Sequence, residues 1–230
     1  MIAEQFVTQD LTCPVCRSRF QSLQPKTTAI RPRRGAAYDR IMYTEYDGPN
    51  PNHYSVVVCP TCLYAAYGRD FDDPTAKQAL LADLPARRER WGDLDFTGVR
   101  SRAVVQASYE LAAHCYEYRR RTRRGSQAAL RLQMAWLAQE AGNQADAEAR
   151  LAEAYVDYQR AYAEEKSTSV EGEIRLTYIL GLLAVQAGNP DEAVHWFEET
   201  TKHREIAKHP EMQRRARERW HDLRQAQQHT

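Results

Sequence analysis

Two short cysteine turns constrain this chain more than any other feature. Cys13-Pro14-Val15-Cys16 and Cys59-Pro60-Thr61-Cys62 share the pattern Cys-Pro-x-Cys, with residues 17–58 between them. Two sulfurs on one tight turn, met by two from a second, complete the tetrahedral coordination of a single ion, and the interval is long enough for the second turn to face the first. Proline after the first cysteine fixes φ near −65° and stiffens the curl before metal arrives. The expectation is one structural Zn2+ held by Cys13, Cys16, Cys59 and Cys62, because four thiolates leave no position for a catalytic water. Such a site carries a charge of about −2. Arg17, Arg19, Arg31, Arg33 and Arg34 are close enough in sequence to offset it.

The rival reading is a redox dithiol. That chemistry fits one Cys-x-x-Cys beside a βαβ pattern, with a helix to lower the thiolate pKa; here there are two turns and no strong amphipathic helix after either. His53, six residues before Cys59, reads as a loop residue. Glycine commonly follows the second cysteine of such turns to relieve a left-handed backbone. Arg17 and Leu63 stand there instead, so the turns are either strained or differently shaped.

Around these turns the pattern is that of a small β zinc ribbon over residues 1–72. A lead-in arm precedes Cys13, a loop is expected at Arg31–Gly35, an aromatic and β-branched run spans Tyr38 to Tyr46, and Tyr54 to Val58 reads as a strand entering the second turn. Its apolar inventory is thin, essentially Val15, Phe20, Ile41, Val56 and Val58. A core that small is marginal alone, whereas structural zinc contributes on the order of 10–16 kcal/mol of coupled binding and folding.

Residues 73–230 read as an α-helical, tetratricopeptide-like domain, making the fold class mainly α. Asp73-Pro74 marks a helix start, and Pro85 interrupts the helical run after it. From Val99 to Arg124 the apolar spacing is helical, with Val104, Ala107, Leu111, Cys115 and Tyr118 on one stripe and Gly125 as the stop. His114 and Cys115 read as core or groove residues. Gly181, Gly188, Ala193 and Phe197 repeat the offsets of Ala135, Gly142, Ala147 and Leu151. Small residues where two antiparallel helices touch and a glycine at the turn resemble a tetratricopeptide repeat. The two Ala-Gly-Asn turns are wider apart than in that repeat, which a longer second helix through Tyr155, Tyr158 and Tyr162 explains. Asn189-Pro190-Asp191-Glu192 is a helix start, and Glu211 to Gln228 a terminal capping helix with Met212, Ala216, Trp220 and Leu223.

Taken together, the lead-in, the two Cys-Pro-x-Cys turns, Tyr64-Ala65-Ala66 behind the second and the helices beyond them resemble an uncharacterised family of bacterial proteins, a domain of unknown function. The resemblance covers nearly the whole chain and implies zinc at Cys13, Cys16, Cys59 and Cys62. Leu63 departs from it, since glycine is expected there. The resemblance implies no activity.

Composition narrows the function classes. At 230 residues and net charge +1, with no long apolar run and no leader-like start, the chain reads as cytoplasmic and not membrane-bound. Five cysteines, four of them in paired turns, fit a reducing compartment. Residues 1–125 carry 19 basic and 14 acidic side chains, too small an excess for a strong nucleic-acid signature. The run Arg119–Arg124 reads either as a phosphate patch or as a helix C-terminus complementing its dipole. There is no phosphate-cradling glycine loop, nucleophile elbow or helical histidine pair, so an enzyme is not expected. Asp70, Asp72 and Asp73 are adequately explained by a helix start. The expected function is a zinc-binding adaptor or scaffold with a protein or peptide partner; the alternative is a nucleic-acid-binding regulator using the ribbon and arginine clusters. Oligomeric state is not legible.

Overall fold

The computed structural model describes residues 2–33, 44–74, 77–118, 124–165 and 169–228. The expectations at Arg34, Gly35, the 38–43 part of the aromatic run with Ile41, and Arg119–Arg123 lie outside the described residues. The chain is mainly helical with two small antiparallel sheets near its start. It divides into two compact units, one containing the described residues up to Tyr118 and the other those from Arg124 onward.

In the first unit, a short helix α1 (Ile2–Gln5) leads into β1 (Phe6–Thr12), which pairs with β2 (Arg19–Pro25), Phe6 opposite Pro25 and Thr12 opposite Arg19. The second hairpin pairs β3 (Val56–Val58) with β4 (Ala65–Tyr67). The strand expected from Tyr54 is shorter, because Pro51–Tyr54 forms a 3-10 turn whose start is capped by the Asn50 side chain accepting from the Asn52 N–H. Pro32 bridges Tyr46, the described end of the aromatic run.

Helices α2 (Lys77–Ala82), α3 (Leu84–Trp91) and α4 (Arg102–Glu117) belong to this same unit. The units therefore part after Tyr118, not at residue 72, and the reason is α4. Ser101 caps it by accepting from the Val104 N–H, and it packs on β3 and β4. The Cys115 sulfur accepts from the Ala65 N–H, and the Tyr116 hydroxyl accepts from the Tyr67 N–H while donating to Asp70. Backbone donors of β4 that an edge strand leaves bare are thus met by a helix. Buried Val105, Tyr109, Leu111, Phe71, Phe96 and Trp91 enlarge the core well beyond the five residues expected. Arg100, also buried, donates to the carbonyls of His53 and Val56, its guanidinium against the Tyr54 ring; burial lowers its pKa to about 10, leaving it charged at neutral pH. Pro85 lies in the first turn of α3, where its missing N–H costs nothing. α4 ends at Glu117 with Tyr118 as its cap, so Gly125 is not the stop; it falls in the first turn of the next helix.

The second unit contains α5 (Arg124–Glu140), α6 (Gln144–Glu164), α7 (Val170–Gln186), α8 (Pro190–Lys202) and α9 (Pro210–Gln228). α5 with α6 and α7 with α8 form two helical hairpins, and α9 packs on α8 and α7. Their turns are twins. Gly142 and Gly188 sit at φ +75° and +72°. In one turn Asn143 N–H donates to Ala138 O and Gly142 N–H to Gln139 O; in the other Asn189 N–H donates to Ala184 O and Gly188 N–H to Val185 O. Both are Schellman stops, which need a residue free to adopt positive φ. The helix starts after them differ. Asn143 accepts from the Asp146 N–H, whereas Asn189 makes no side-chain cap and the preset φ of Pro190 opens α8 instead. α6 has 21 residues and α8 has 13, which accounts for much of the wider spacing between the turns. Tyr155, Tyr158 and Tyr178 are buried in packing, while Tyr162 is exposed.

Gly181 shows why a small residue is needed on α7. A Cβ there would lie 2.6 Å from the ring of Phe197, itself fully buried on α8. We expect Gly181→Ala to destabilise the second unit by about 1–2 kcal/mol, overpacking outweighing the gain in helix propensity, and Phe197→Leu to restore most of the loss in a denaturant melt. A stabilised Gly181→Ala would show that this approach is not tight.

Candidate metal centre

Each cysteine turn is the tip of one β-hairpin. β1 ends at Thr12 and β2 begins at Arg19; β3 ends at Val58 and β4 begins at Ala65. The two tips close with the same hydrogen bonds. Cys13 N–H donates to Ser18 O and Arg17 N–H to Cys13 O, at 2.8 and 2.9 Å; Cys59 N–H donates to Tyr64 O and Leu63 N–H to Cys59 O, at 2.9 and 2.8 Å. Arg17 and Leu63 both take positive φ, +66° and +53°. The turns therefore keep the shape that favours glycine and hold a bulky residue in it, at a cost on the order of 1 kcal/mol each. The Val15 and Cys16 amides point at the Cys13 sulfur.

The tips converge. The Sγ atoms of Cys13, Cys16, Cys59 and Cys62 all lie within 4.8 Å of one another. Cys13 is 3.6 Å from Cys62, and Cys16 is 3.7 Å from Cys59, each pair joining one hairpin to the other. These separations far exceed a disulfide bond of about 2.05 Å. They match the edge of a tetrahedron, roughly 3.8 Å, around an ion with metal–sulfur bonds of about 2.3 Å. Cys13, Cys59 and Cys62 are buried and Cys16 is half-buried. Four soft donors, three of them buried, gathered around one point are compatible with a metal site.

Electrostatics point the same way. Hydrogen bonds from Cys13 and Cys62 draw the Cys59 thiol far below its usual range. The Cys13 thiol, bonded to Cys59, is pushed up to about 12, and Cys62 is pushed up by its bonds to Cys13 and Cys59. Without a cation one thiolate suppresses ionisation of its neighbours. The Ser18 hydroxyl lies 3.1 Å from the Cys16 sulfur and 3.3 Å from that of Cys59, in place to donate to a thiolate.

Arg17, Arg19 and Arg31 are exposed, and Arg33 is held by Glu45 and Asp47. The cations that reach the second tip come from α3. Arg87, fully buried, donates to Cys62 O at 3.0 Å and to Leu80 O, and pairs with Asp83 at 2.8 Å; Arg88 donates to Thr61 O. Although burial works against it, hydrogen bonds from His114 and Tyr118 and the charge of Arg87 hold the Asp83 carboxyl below its ordinary range. Sequence reasoning missed Arg87 because Arg87-Arg88-Glu89-Arg90 reads as a solvated run; the one signal was Asp83 four residues earlier. His53 is outside the sulfur cluster, its carbonyl accepting from Arg100. His114 is half-buried, 2.7 Å from Asp83, and buried Cys115 contacts Leu63 O and Ala65 N–H behind the second tip.

Residues 6–223 match a family described as an uncharacterized protein conserved in bacteria (DUF2225). An uncharacterized protein of Borreliella burgdorferi (strain ATCC 35210 / DSM 4680 / CIP 102532 / B31) is 29% identical over 124 residues. That match covers 49% of this chain and 44% of the relative, so the chain spans less than half of that protein. No solved structure matches. With the family match running through both compact units, from β1 to α9, this chain belongs to the DUF2225 family of proteins conserved in bacteria.

Proposed function

We propose that the chain is a zinc-stapled interaction protein: Cys13, Cys16, Cys59 and Cys62 hold one structural Zn2+, and the helical hairpins bind a protein or peptide partner. The metal identity rests on the donor set. Four thiolates in a closed tetrahedral arrangement suit Zn2+, which has no redox chemistry of its own and takes that geometry without strain. When bound, the ion locks the two hairpin tips together. Cys13 and Cys16 fix the first tip, Cys59 and Cys62 the second, Ser18 supports the thiolates, and Arg87 with Arg88 anchors the backbone of the second tip.

The observation that carries the interaction reading is the repetition in the second unit: two hairpins with the same Schellman turn, followed by a terminal helix packed on the last pair. Stacked hairpins of the tetratricopeptide kind build extended binding surfaces. Tyr162, Trp196 and His195 form an aromatic cluster, with ring centroids 5.0 and 5.1 Å apart and Tyr162 and His195 exposed. Aromatic residues that offer an apolar body and a polar tip are enriched at protein contacts. Non-enzymatic action and a cytoplasmic setting complete the reading, in keeping with five free cysteines. Among the described residues no helix is long and apolar enough to cross a membrane.

The nucleic-acid alternative draws less support. Arg33, Arg87, Arg90 and Arg100 are engaged by carboxylates or carbonyls of the first unit, which leaves fewer cations to neutralise phosphates. In affinity capture from the source bacterium, we expect the same protein partner with and without nuclease, and a reduced yield with Tyr162→Ala/Trp196→Ala. Capture abolished by nuclease, together with salt-dependent retention of DNA, would establish the alternative.

The metal reading makes two further predictions. Stripping zinc with a chelator, or substituting Cys16→Ser, should make the first unit sensitive to protease while the second stays resistant; equal resistance in stripped and loaded protein would contradict it. Because coordination requires deprotonated sulfur, zinc binding releases protons and weakens as pH falls. Titration calorimetry in buffers of different ionisation enthalpy should show net proton release at pH 7, and zero release would exclude thiolate ligation.

A further inference from the structure

We propose that the outer edge of β1 binds an extended peptide from a protein partner, which adds a strand to the first hairpin and presents alternate side chains to a cleft beside it. This rests on reading the chain as an interaction protein, but it places a contact on the metal-bearing unit rather than on the helical hairpins.

The parity of the β1–β2 ladder shows which backbone groups are on offer. Lys26 N–H donates to Gln5 O and Cys13 N–H to Ser18 O, both at 2.8 Å, so these two pairs bracket the ladder as hydrogen-bonded pairs in register. Hydrogen-bonded and non-hydrogen-bonded pairs alternate along an antiparallel ladder. Val7, Gln9 and Leu11 therefore turn their N–H and C=O toward β2, and Thr8 and Asp10 turn theirs outward. Among the described residues no strand pairs with that outer edge. The usual protections of an edge are also weak here: seven residues, no proline and one charge, Asp10, itself held by Gln21 across the hairpin. Val7 is 50% exposed. The contrast is with β4, whose N–H groups at Ala65 and Tyr67 are met by α4.

A second observation selects the occupant. A cleft of about 570 Å³ lies between the hairpins, lined by Gln9, Leu11 and Gln24 from the first and by Val57, Tyr67 and Phe71 from around the second. Gln9 and Leu11 are on the same face of β1 as exposed Val7, because side chains alternate along a strand. A peptide strand laid against Thr8 and Asp10 would send every second side chain toward this face. Main-chain bonds then supply affinity, and the apolar part of the cleft selects the side chain. Arg69, itself 4.0 Å from Asp70, and Asp72 line the same cleft and leave it no net positive charge, which suits a peptide without acidic side chains and disfavours a polyanion.

The test uses the full zinc-loaded chain and a displayed library of random linear decapeptides. Selected peptides should alternate apolar and polar residues, and the Thr8 and Asp10 amides should exchange more slowly in the complex. Thr8→Pro, which removes one outward N–H at an edge position where proline is tolerated, should weaken binding at least tenfold with zinc content unchanged. Leu11→Lys, on the cleft face, should do the same. Unaltered binding by both variants would overturn the proposal, as would recovery of no peptide at all. Peptides whose contacts map to residues 124–228 would also overturn it while leaving the interaction reading standing. A concentration-dependent dimer lost in Thr8→Pro would assign the edge to a second copy of the chain and equally refute it.

Discussion

The constraint around which the first unit is arranged is the meeting of four sulfurs from two hairpin tips. A two-stranded hairpin is marginal in water by itself, and here one hairpin has only three residues per strand. Bringing Cys13 within 3.6 Å of Cys62, and Cys16 within 3.7 Å of Cys59, costs chain entropy and gathers groups that resist ionising together. A divalent ion held at that point would offset both penalties. The positive φ of Arg17 and Leu63 fits this arrangement, since backbone strain persists where the surroundings over-determine it.

The sulfur cluster is not the only support of the hairpin tips. α4 seals β4 through Cys115 and Tyr116, and Arg87 and Arg88 hold the carbonyls of Cys62 and Thr61. The second tip is therefore supported by helices as well as by sulfur. The first tip is less enclosed: Cys16 is half-buried and β1 beyond it is largely exposed, although Phe20 packs edge-on against Phe71 and Phe6 against Tyr54. Loss of the ion should thus be felt first in the β1–β2 hairpin, the element assigned a peptide-binding edge.

The convergence of the four cysteines was legible because its signal is local. Cys-Pro-x-Cys specifies a turn, and two such turns specify a partner for each other. Gly142 and Gly188 were legible for a similar reason, as helix stops that need positive φ. The extent of the first unit was not: the stripe Val104, Ala107, Leu111, Cys115 announces a buried face without saying what covers it, and strands β3 and β4 cover it. Gly125 misled because glycine near a helix end can follow one helix or open the next. Asn189 carried the sequence of a cap without acting as one, its turn being closed by backbone bonds and Pro190. Arg87 escaped notice because a buried arginine bonded to carbonyls leaves no pattern distinct from a surface charge run.

The central claim is that one ion bridges the two tips through four cysteine sulfurs. X-ray absorption at the zinc edge of the purified protein tests it most directly. The account predicts one zinc per chain with a shell of four sulfurs at about 2.3 Å and no nitrogen or oxygen ligands. A shell containing histidine nitrogen or water oxygen, or protein isolated with no metal and four reactive thiols, would contradict it.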